Sequence, residues 1–180
     1  VLLHGHCTSA EESSSFISDA ADDPTVVWKR DWVPKGWRMT DEAHKDQLVK
    51  FSVLLHHEHS AVEALKERFE SVTNPSSKLY GQWMSREEVI GKLSRPHVVD
   101  RVRRWLESVG ARTDVSGGDV VHVVAKASTA ENILHTSIRC FQHKRSGLKV
   151  LRHWGLLHLP GSMRSFVHAI RGLSDFPLLQ

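Results

Sequence analysis

Cysteines are scarce in this chain, and their scarcity excludes several kinds of small scaffold. The 180 residues contain two cysteines, Cys7 and Cys140, too few for a disulfide framework or a zinc site built from thiolates. The two could pair, but two unlinked thiols are the favoured prediction because Cys7 lies in a segment expected to be mobile. Long apolar runs are also missing. No stretch approaches the roughly 18 apolar residues that a membrane-spanning helix requires, so we expect no membrane contact.

Catalytic and cofactor-binding motifs are a second absence. The sequence has no GxSxG, no phosphate-binding glycine loop and no HExxH. These are the patterns that would indicate a serine hydrolase, a nucleotide-binding protein or a zinc protease. We therefore predict that this chain is not an enzyme and that it holds no catalytic residue, metal or cofactor.

Histidine, by contrast, is abundant. The chain has 13 histidines and a net charge of +3 when they are neutral, so its charge depends strongly on pH between about 5 and 7. Three of them, His56, His57 and His59, lie in the run HHEH. At the end of a strand, His57 and His59 would point one way and His56 the other, which leaves no third metal ligand on either side. We predict a pH-sensing role for these three histidines rather than a metal site.

Composition divides the chain into three parts. Its 40% hydrophobic and 25% charged residues are typical of a globular domain. Residues 8–24 are rich in Ser, Asp, Glu and Ala, which favours a mobile leader over residues 1–24. A folded domain is predicted over residues 25–172, and residues 173–180 would form a linker. The domain begins with three tryptophans that should dock on its core: Trp28, Trp32 and Trp37.

The middle of the chain has clear strand and helix periodicity. Alternating apolar residues predict a strand over residues 49–55, and a helical stripe follows over residues 62–72. Ser85 and Glu88 have capping-box spacing, which predicts the start of a short helix. The next helix begins near Pro96 and should end at Gly110, the position of a left-handed cap. Its predicted apolar face comprises Val98, Val99, Val102, Trp105, Leu106 and Val109.

The second half of the chain predicts two hairpins and two further helices. Glycine-containing turns at 116–119 and 145–147 each join two strands. Between the hairpins, Ser128 and Glu131 form a second capping-box pattern. A final helix is predicted from Pro160 to Gly172, with Met163, Phe166, Val167 and Ile170 on one face. The resulting order is βαββαβ with extra helices in the first crossover. This order favours an α+β fold, an antiparallel sheet with helices packed on one face.

Two stretches in the first crossover carry a family resemblance. VTNPSSKLYGQWMSREEV, followed by VVDRVRRWLESVGA, resembles the activation propeptide (pro-kumamolisin type) of the sedolisin family of acid serine-carboxyl peptidases, and its tripeptidyl-peptidase branch in particular. The family often has Ser-Asp where this chain has Thr73-Asn74, a mild departure because Asn and Asp both suit turns. The similarity continues more weakly through VHAIRGLSDFP. The residues of this structural motif are Asn74, Pro75, Ser76, Ser77, Tyr80, Gly81, Trp105, Leu106 and Gly110.

The resemblance implies a fold and a task. The fold is ferredoxin-like, in agreement with the βαββαβ order. The task is that of an intramolecular chaperone and inhibitor of an acid-activated, tripeptidyl-peptidase-like serine peptidase, released by cleavage at low pH. The implied partner is the cognate mature protease domain, which would hold the catalytic residues. The implied location is the secretory pathway, a lysosome or comparable acidic compartment, or the extracellular space.

The C-terminal linker is the predicted contact with the partner's cleft. Phe176 and Leu178 offer apolar anchors, Pro177 restricts the backbone and Asp175 carries a charge that acid removes. The predicted inhibitory residues are Ser174, Asp175, Phe176, Pro177 and Leu178. For the turn at 74–81, a role in fold stability is favoured over direct contact with the enzyme.

Two alternative functions stay open at this point. One is a freestanding protease inhibitor or binding module with the same fold. The other is a basic nucleic-acid-binding domain, suggested by RVRRW at residues 101–105. The acidic residues interleaved with this basic run, Asp100 and Glu107, argue against nucleic acid because they form helix pairs at spacing four.

Overall fold

A computed structural model describes residues 25–177 of the chain. The predicted leader, Cys7 and Leu178 lie outside these residues. The described part contains eight strands and five helices. The strands are β1 (Thr25–Arg30), β2 (Trp37–Glu42), β3 (Leu48–Leu55), β4 (Arg112–Ser116), β5 (Val120–Lys126), β6 (Ser137–His143), β7 (Lys149–Leu159) and β8 (Val167–Arg171). The helices are α1 (His59–Thr73), α2 (Arg86–Leu93), α3 (Pro96–Ser108), α4 (Ala127–Leu134) and α5 (Gly161–Arg164).

The first sheet has the strand order β4-β5-β3-β8 and is antiparallel throughout. With α1–α3 in the first crossover and α4 in the second, this is the order of a ferredoxin-like fold. It confirms the predicted α+β class. Apolar residues alternate along β3 because one face is buried: Val49, Phe51 and Val53 are at most 3% exposed, and they pair with Ala125, Val123 and Val121 of β5.

Helices α3 and α4 contact this sheet. The buried residues of α3 are Val98, Val99, Val102 and Leu106, which confirms most of its predicted face. Trp105 is half-buried, packed against the edge of the core, and Val109 is exposed, so the prediction for Val109 was wrong. Gly110 has φ +88° and follows the helix as a left-handed residue, as predicted.

Of the two predicted capping boxes, one forms. The Ser85 hydroxyl accepts from the Glu88 amide at 3.2 Å, and the Glu88 carboxylate accepts from the Ser85 amide at 2.7 Å. The prediction at Ser128 was wrong, because α4 begins one residue earlier. The Ser128 hydroxyl instead donates to the Lys45 carbonyl at 3.0 Å, and the Glu131 carboxylate accepts from the Ile138 amide at 2.7 Å.

A second four-stranded sheet has the order β1-β7-β6-β2. Its two central strands form the predicted hairpin around residues 145–147, which lies in the chain between α4 and β8. Its two outer strands come from the N-terminal part of the domain. Trp28 lies on β1, Trp37 lies on β2, and Trp32 lies in the connection between them. Trp37 is buried, at 6% exposure, while Trp28 and Trp32 are more than half exposed. The expectation that all three dock on the core was therefore wrong for two of them.

The predicted final helix is wrong over most of its length. One turn of helix, α5, is followed by strand β8, which pairs with β3 and completes the first sheet. The predicted apolar residues are nevertheless those that pack: Val167 and Met163 are buried, and Phe166 and Ile170 contact the core. In so short a segment the same apolar positions fit either period. The open edge of β3 decides in favour of a strand, because its backbone groups need partners.

No helix within residues 25–177 is both long and apolar enough to cross a lipid bilayer. Cys140 is a free thiol on β6.

Candidate functional site

The predicted linker residues lie in a short segment that leaves β8 and runs along the second sheet. We call residues 172–177 the exit segment. It begins at Gly172, where φ is +92° and a Cβ atom would lie 3.1 Å from the Lys50 carbonyl oxygen and 3.2 Å from the Phe51 Cα. Only glycine fits this turn without strain. Leu173 follows and is buried, with its carbonyl accepting from the His153 backbone amide at 3.0 Å. The segment thus joins β7 by a backbone hydrogen bond.

Two arginines hold the next two residues. The Arg30 guanidinium on β1 donates to the Ser174 carbonyl, and the Arg152 guanidinium on β7 donates to the Asp175 carbonyl. We call Arg30 and Arg152 the arginine pair. The Asp175 carboxylate also turns back to accept from the Gly172 amide at 3.1 Å. Hydrogen bonds from charged donors are stronger than neutral ones, so the backbone of the exit segment is fixed to the second sheet through β1 and β7.

Phe176 is anchored by aromatic and cationic contacts. Its ring centroid lies 5.0 Å from that of Trp37 and 5.2 Å from that of Phe141, both edge-on. The guanidinium carbons of Arg30 and Arg152 lie 5.0 Å and 5.6 Å from the same ring. Edge-to-face rings and cation–π pairs at these separations are attractive. The predicted apolar anchor therefore packs on its own domain, whereas Pro177 beside it is exposed. A role for these residues as inhibitory contacts stays a prediction.

Burial at the arginine pair alters ionisation. It lowers the pKa of Arg30 and Arg152 from their ordinary values, and the nearby Asp175 carboxylate opposes this change for both guanidinium groups. Arg30 is 4% exposed, and its Nε and Nη1 have no hydrogen-bond partner within the described residues. The Arg30 guanidinium repels that of Arg152, and the Asp175 carboxylate, the single acidic side chain of the exit segment, offsets their positive charge.

His153 follows Arg152 on β7. It is fully buried, and neither ring nitrogen has a hydrogen-bond partner in the described part of the chain. Burial, followed by the repulsion of Arg30, lowers the pKa of His153 from 6.5 to about 4. The ring is therefore neutral at pH 7 and resists protonation until the pH is well below the ordinary histidine range.

The three histidines predicted to sense pH do not form one group. The His56 ring lies 5.1 Å from that of His168 on β8, and burial followed by repulsion from His168 lowers the pKa of His56. His57 Nε2 lies 3.4 Å from the Asp119 carboxylate in the β4–β5 turn. His59 is exposed at the first turn of α1. Their pH-sensing role stays a prediction.

The family-like turn at residues 74–81 ends α1. The Asn74 carboxamide accepts from the Ser76 amide at 3.0 Å, and the Ser77 hydroxyl accepts from the Leu79 amide at 3.1 Å. Gly81, with φ +73°, donates its amide to the Val72 carbonyl at 2.9 Å. These local bonds favour the stability role predicted for the turn. Tyr80, also part of the turn, is 57% exposed.

The side chains most suggestive of chemistry lie on the open face of the first sheet. The Ser52 hydroxyl is 2.9 Å from His122 Nδ1. Both residues are accessible, and within the described part of the chain no hydrogen bond joins His122 to a carboxylate, although Asp114 lies opposite it on β4. Nucleophilic catalysis needs a base oriented by a third group, so this pair gives no basis for a catalytic role. Within residues 25–177, no three His, Cys, Asp or Glu side chains are close enough together to hold a metal ion.

Sequence reasoning missed the residues that hold the exit segment. Arg30, Arg152 and His153 lie in strands, and their neighbours along the chain give no sign of a common site. The one available signal was Trp37, the aromatic residue after the Pro-Lys-Gly turn, which was expected to be buried and now proves to contact Phe176.

Comparison with known proteins identifies what this domain is similar to. The family model "Pro-kumamolisin, activation domain" matches residues 35–176 and so ends at the Phe176 anchor. Physarolisin of Physarum polycephalum is 29% identical over 147 residues, covering 80% of this chain and 25% of its own length. Tripeptidyl-peptidase sed1 of Aspergillus fumigatus is 28% identical over 151 residues, covering 81% and 23%. A probable tripeptidyl-peptidase SED4 of Arthroderma benhamiae is 28% identical over 138 residues, covering 75% and 23%.

The matched region is thus an activation domain, and the chain spans about a quarter of the length of these relatives. The family match covers most of the chain, and it includes the resemblance in the first crossover, the ferredoxin-like sheet and the anchored exit segment. This chain belongs to the pro-kumamolisin activation domain family.

Proposed function

We propose that this chain is the propeptide of a sedolisin-type serine peptidase, which it helps to fold, inhibits near neutral pH and leaves after cleavage in acid. The observation that carries the proposal is the anchored exit segment in a domain of the activation family. Arg30, Arg152 and Trp37 hold the segment at the point where the chain would continue toward its peptidase. The catalytic residues would belong to that peptidase domain and not to this chain.

A rigid exit supports inhibition by shape. A linker that is free at its start must lose conformational entropy before it can lie in a cleft. Here the hydrogen bonds to Leu173, Ser174 and Asp175 already fix the backbone. Covalent attachment also raises the effective concentration of an inhibitor at its target. A fixed direction and a high local concentration together allow weak contacts in the cleft to block substrate.

The same rigidity supports a role in folding. A domain that folds on its own sheet and core offers a preformed surface on which a partner can organise. The first sheet places α3 and α4 on one face and leaves Lys50, His122 and Arg171 exposed on the other. An exposed sheet face with mixed apolar and basic residues is a plausible surface for a protein partner.

The alternative functions gain little from the structure. In the basic run at residues 101–105, Arg103 and Arg104 lie 3.4 Å and 3.9 Å from the Asp100 carboxylate, and Arg101 lies over the Phe166 ring at 5.0 Å. These contacts leave less positive charge for phosphate groups and so do not favour a nucleic-acid partner. A freestanding inhibitor would use the same surfaces, and it differs from the proposal only in lacking a covalently attached peptidase.

An inhibition assay tests the proposal. The purified chain is titrated into its cognate mature peptidase at pH 6 and at pH 4, and hydrolysis of a tripeptide substrate is followed. We expect inhibition at pH 6 that is at least about tenfold weaker at pH 4, since each linked proton changes affinity by up to tenfold per pH unit. Equal inhibition at both values would exclude acid release, and no inhibition at either would exclude the inhibitor role.

The folding role needs a separate measurement. The denatured peptidase is diluted into buffer with and without the chain, and the activity recovered after transfer to acid is compared. We expect the chain to increase recovery, and an unrelated ferredoxin-like domain of similar charge to leave it unchanged. Equal recovery with both proteins would remove the chaperone role while leaving the inhibitor role intact. Retention of the chain on DNA that is lost with added salt would instead favour the nucleic-acid alternative.

A further inference from the structure

We propose that the exit segment is released from the second sheet by acid, with His153 as the group whose protonation drives the release. The inference concerns the conformation of this chain alone. Its consequence for a peptidase, stated below, rests on the proposed function.

Two of the hydrogen bonds that hold the exit segment come from one strand, β7. Arg152 donates to the Asp175 carbonyl, and the backbone amide of the next residue, His153, donates to the Leu173 carbonyl. The attachment of the segment and the environment of the His153 ring therefore share one stretch of backbone. A change that moves His153 in β7 also moves two of the hydrogen bonds that hold the segment.

Arg30 on β1 repels a positive charge on the His153 ring. Arg152 precedes His153 on β7, and successive strand residues point to opposite faces; its guanidinium interacts with Asp175 of the exit segment and with Arg30. On β6, the residue opposite His153 is the apolar Ile138. A proton on the His153 ring would thus add a positive charge that repels the Arg30 guanidinium, the group that holds the Ser174 carbonyl. No described residue accepts a hydrogen bond from either ring nitrogen, so the new charge would be buried without a partner.

The sign of the effect follows from linkage. His153 has a pKa of about 4 while it is buried and an ordinary value of 6.5 once it reaches water. The open form therefore binds a proton that the closed form does not, and opening becomes more favourable as the pH falls from about 6.5 to about 4. The equilibrium between closed and open forms changes by up to about 50-fold between pH 7 and pH 4.5.

Release would change what a peptidase encounters. While it is closed, the exit segment turns back on Gly172 and has Leu173 buried and Phe176 packed between rings. A peptidase needs several residues in an extended conformation to reach a scissile bond, so a segment bonded in this way is a poor substrate. Under the proposed function, opening in acid presents the linker for cleavage at the pH at which the peptidase is active.

Hydrogen exchange of the isolated chain tests the inference without any peptidase. Exchange is measured by mass spectrometry between pH 7 and pH 4.5, corrected for the intrinsic pH dependence of amide exchange. Peptides covering residues 150–156 and 172–177 should lose at least about tenfold in protection. Peptides from β3, residues 48–55, should stay within about twofold and so report that the first sheet is intact. No loss in the exit segment, or an equal loss in β3, would overturn the proposal.

Three variants assign the effect. His153→Phe removes the titrating ring at an apolar site, and we expect protection that no longer depends on pH. His97→Phe makes the same change at an exposed position on α3 and should behave as the original chain does. Asp175→Asn removes the carboxylate charge of the exit segment and is the second control. If pH dependence persists in His153→Phe and vanishes in Asp175→Asn, the proton acts at Asp175 and the proposal is wrong. Should His153→Phe lose protection in β3 at pH 7, His153→Leu serves in its place.

The hydrogen-exchange result does not depend on whether the proposed function is correct. Acid release seen by exchange, together with no inhibition of the cognate peptidase, would leave the conformational switch standing and remove the inhibitor role. Inhibition of the peptidase by a chain whose exit segment shows no pH dependence would keep the inhibitor role and remove the conformational switch.

Discussion

The Arg30 guanidinium carbon lies 5.0 Å above the ring centroid of Phe176, although 146 positions separate the two residues in the chain, roughly the length of the whole domain. This contact joins the first strand to the last described residues. It also means that Phe176, which the sequence suggested as an anchor for a partner, already serves as an anchor within the domain.

Truncating the anchor should loosen the exit. For Phe176→Ala we expect a loss of about 2–3 kcal/mol, because a half-buried ring loses contacts with two aromatic rings and two guanidinium groups. The measurement is urea unfolding at pH 7, together with hydrogen exchange of residues 172–177. Pro177→Ala, at the adjacent exposed position, is the matched control and should lie within about 0.5 kcal/mol of the original chain. Equal effects of the two substitutions would show that the ring contacts contribute nothing.

The buried histidine should limit stability in acid. Because the folded-state pKa of His153 is about 4 and its ordinary value is 6.5, its contribution is fully present above pH 6.5 and is lost as the pH falls toward 4. We expect about 2 kcal/mol of the stability difference between pH 7 and pH 4.5 to disappear in His153→Phe. Unfolding in urea at both pH values measures this difference. A difference unchanged from that of the original chain would mean that other groups cause the acid sensitivity.

Gly172 should tolerate no side chain. A Cβ atom at this position would meet the Lys50 carbonyl oxygen at 3.1 Å, and the residue has φ +92°. For Gly172→Ala we expect a loss of about 1–3 kcal/mol from backbone strain and crowding. Gly91, inside α2, has no atom within 4 Å of a built Cβ, so Gly91→Ala should stabilise the chain by about 0.5–1 kcal/mol. Thermal unfolding of both variants tests the contrast, and a stabilising Gly172→Ala would show that the turn relaxes easily.

The aromatic residues of the family motif should differ in their effect on stability. Trp105 is half-buried against the core, so Trp105→Ala should cost about 2–3 kcal/mol, less than the removal of a fully buried ring. Tyr80 is 57% exposed, and Tyr80→Ala should change stability by less than about 0.5 kcal/mol. Chemical denaturation of the two variants provides the comparison. A large loss for Tyr80→Ala would reveal packing that its exposure does not indicate.

Local signals were sufficient to predict the first crossover and β3. The Ser85–Glu88 box, Pro96 at the start of α3 and Gly110 after its end each act within a few residues of their own position. The local structure that they predict from the sequence is therefore the one found in the folded chain. The alternation along β3 was equally reliable, because burial on one face imposes a period of two.

The rest of the fold depends on pairing across long distances. Strand β8 was predicted as a helix, since its apolar spacing suits both structures and only the open edge of β3 distinguishes them. Strands β1 and β2 have no strong alternation of their own. They are strands because the β6–β7 hairpin offers each of them an edge. Such tertiary pairing overrides local propensity and leaves little trace in a single sequence.

The site was harder to predict than the fold, for the same reason. Phe176 was predicted as an apolar anchor for the partner's cleft, whereas within the domain its ring contacts residues of four other strands, β1, β2, β6 and β7. Arg30, Phe141 and Arg152 would each read as an ordinary strand residue, and the burial of His153 follows from the packing of both sheets. The partner of a charged strand residue can be identified only when the positions of the neighbouring strands are known.

The placement of the β6–β7 hairpin has a mechanical consequence. Because β7 pairs with β1 and both strands hold the exit segment through Arg152 and Arg30, tension on the chain beyond residue 177 would not simply peel β8 from β3. The load would pass through Arg152 and Arg30 into β7 and β1, which are aligned antiparallel and would resist as a sheared pair. A peptidase domain that pulled on this connection while folding would therefore be pulling on the opposite end of the propeptide as well.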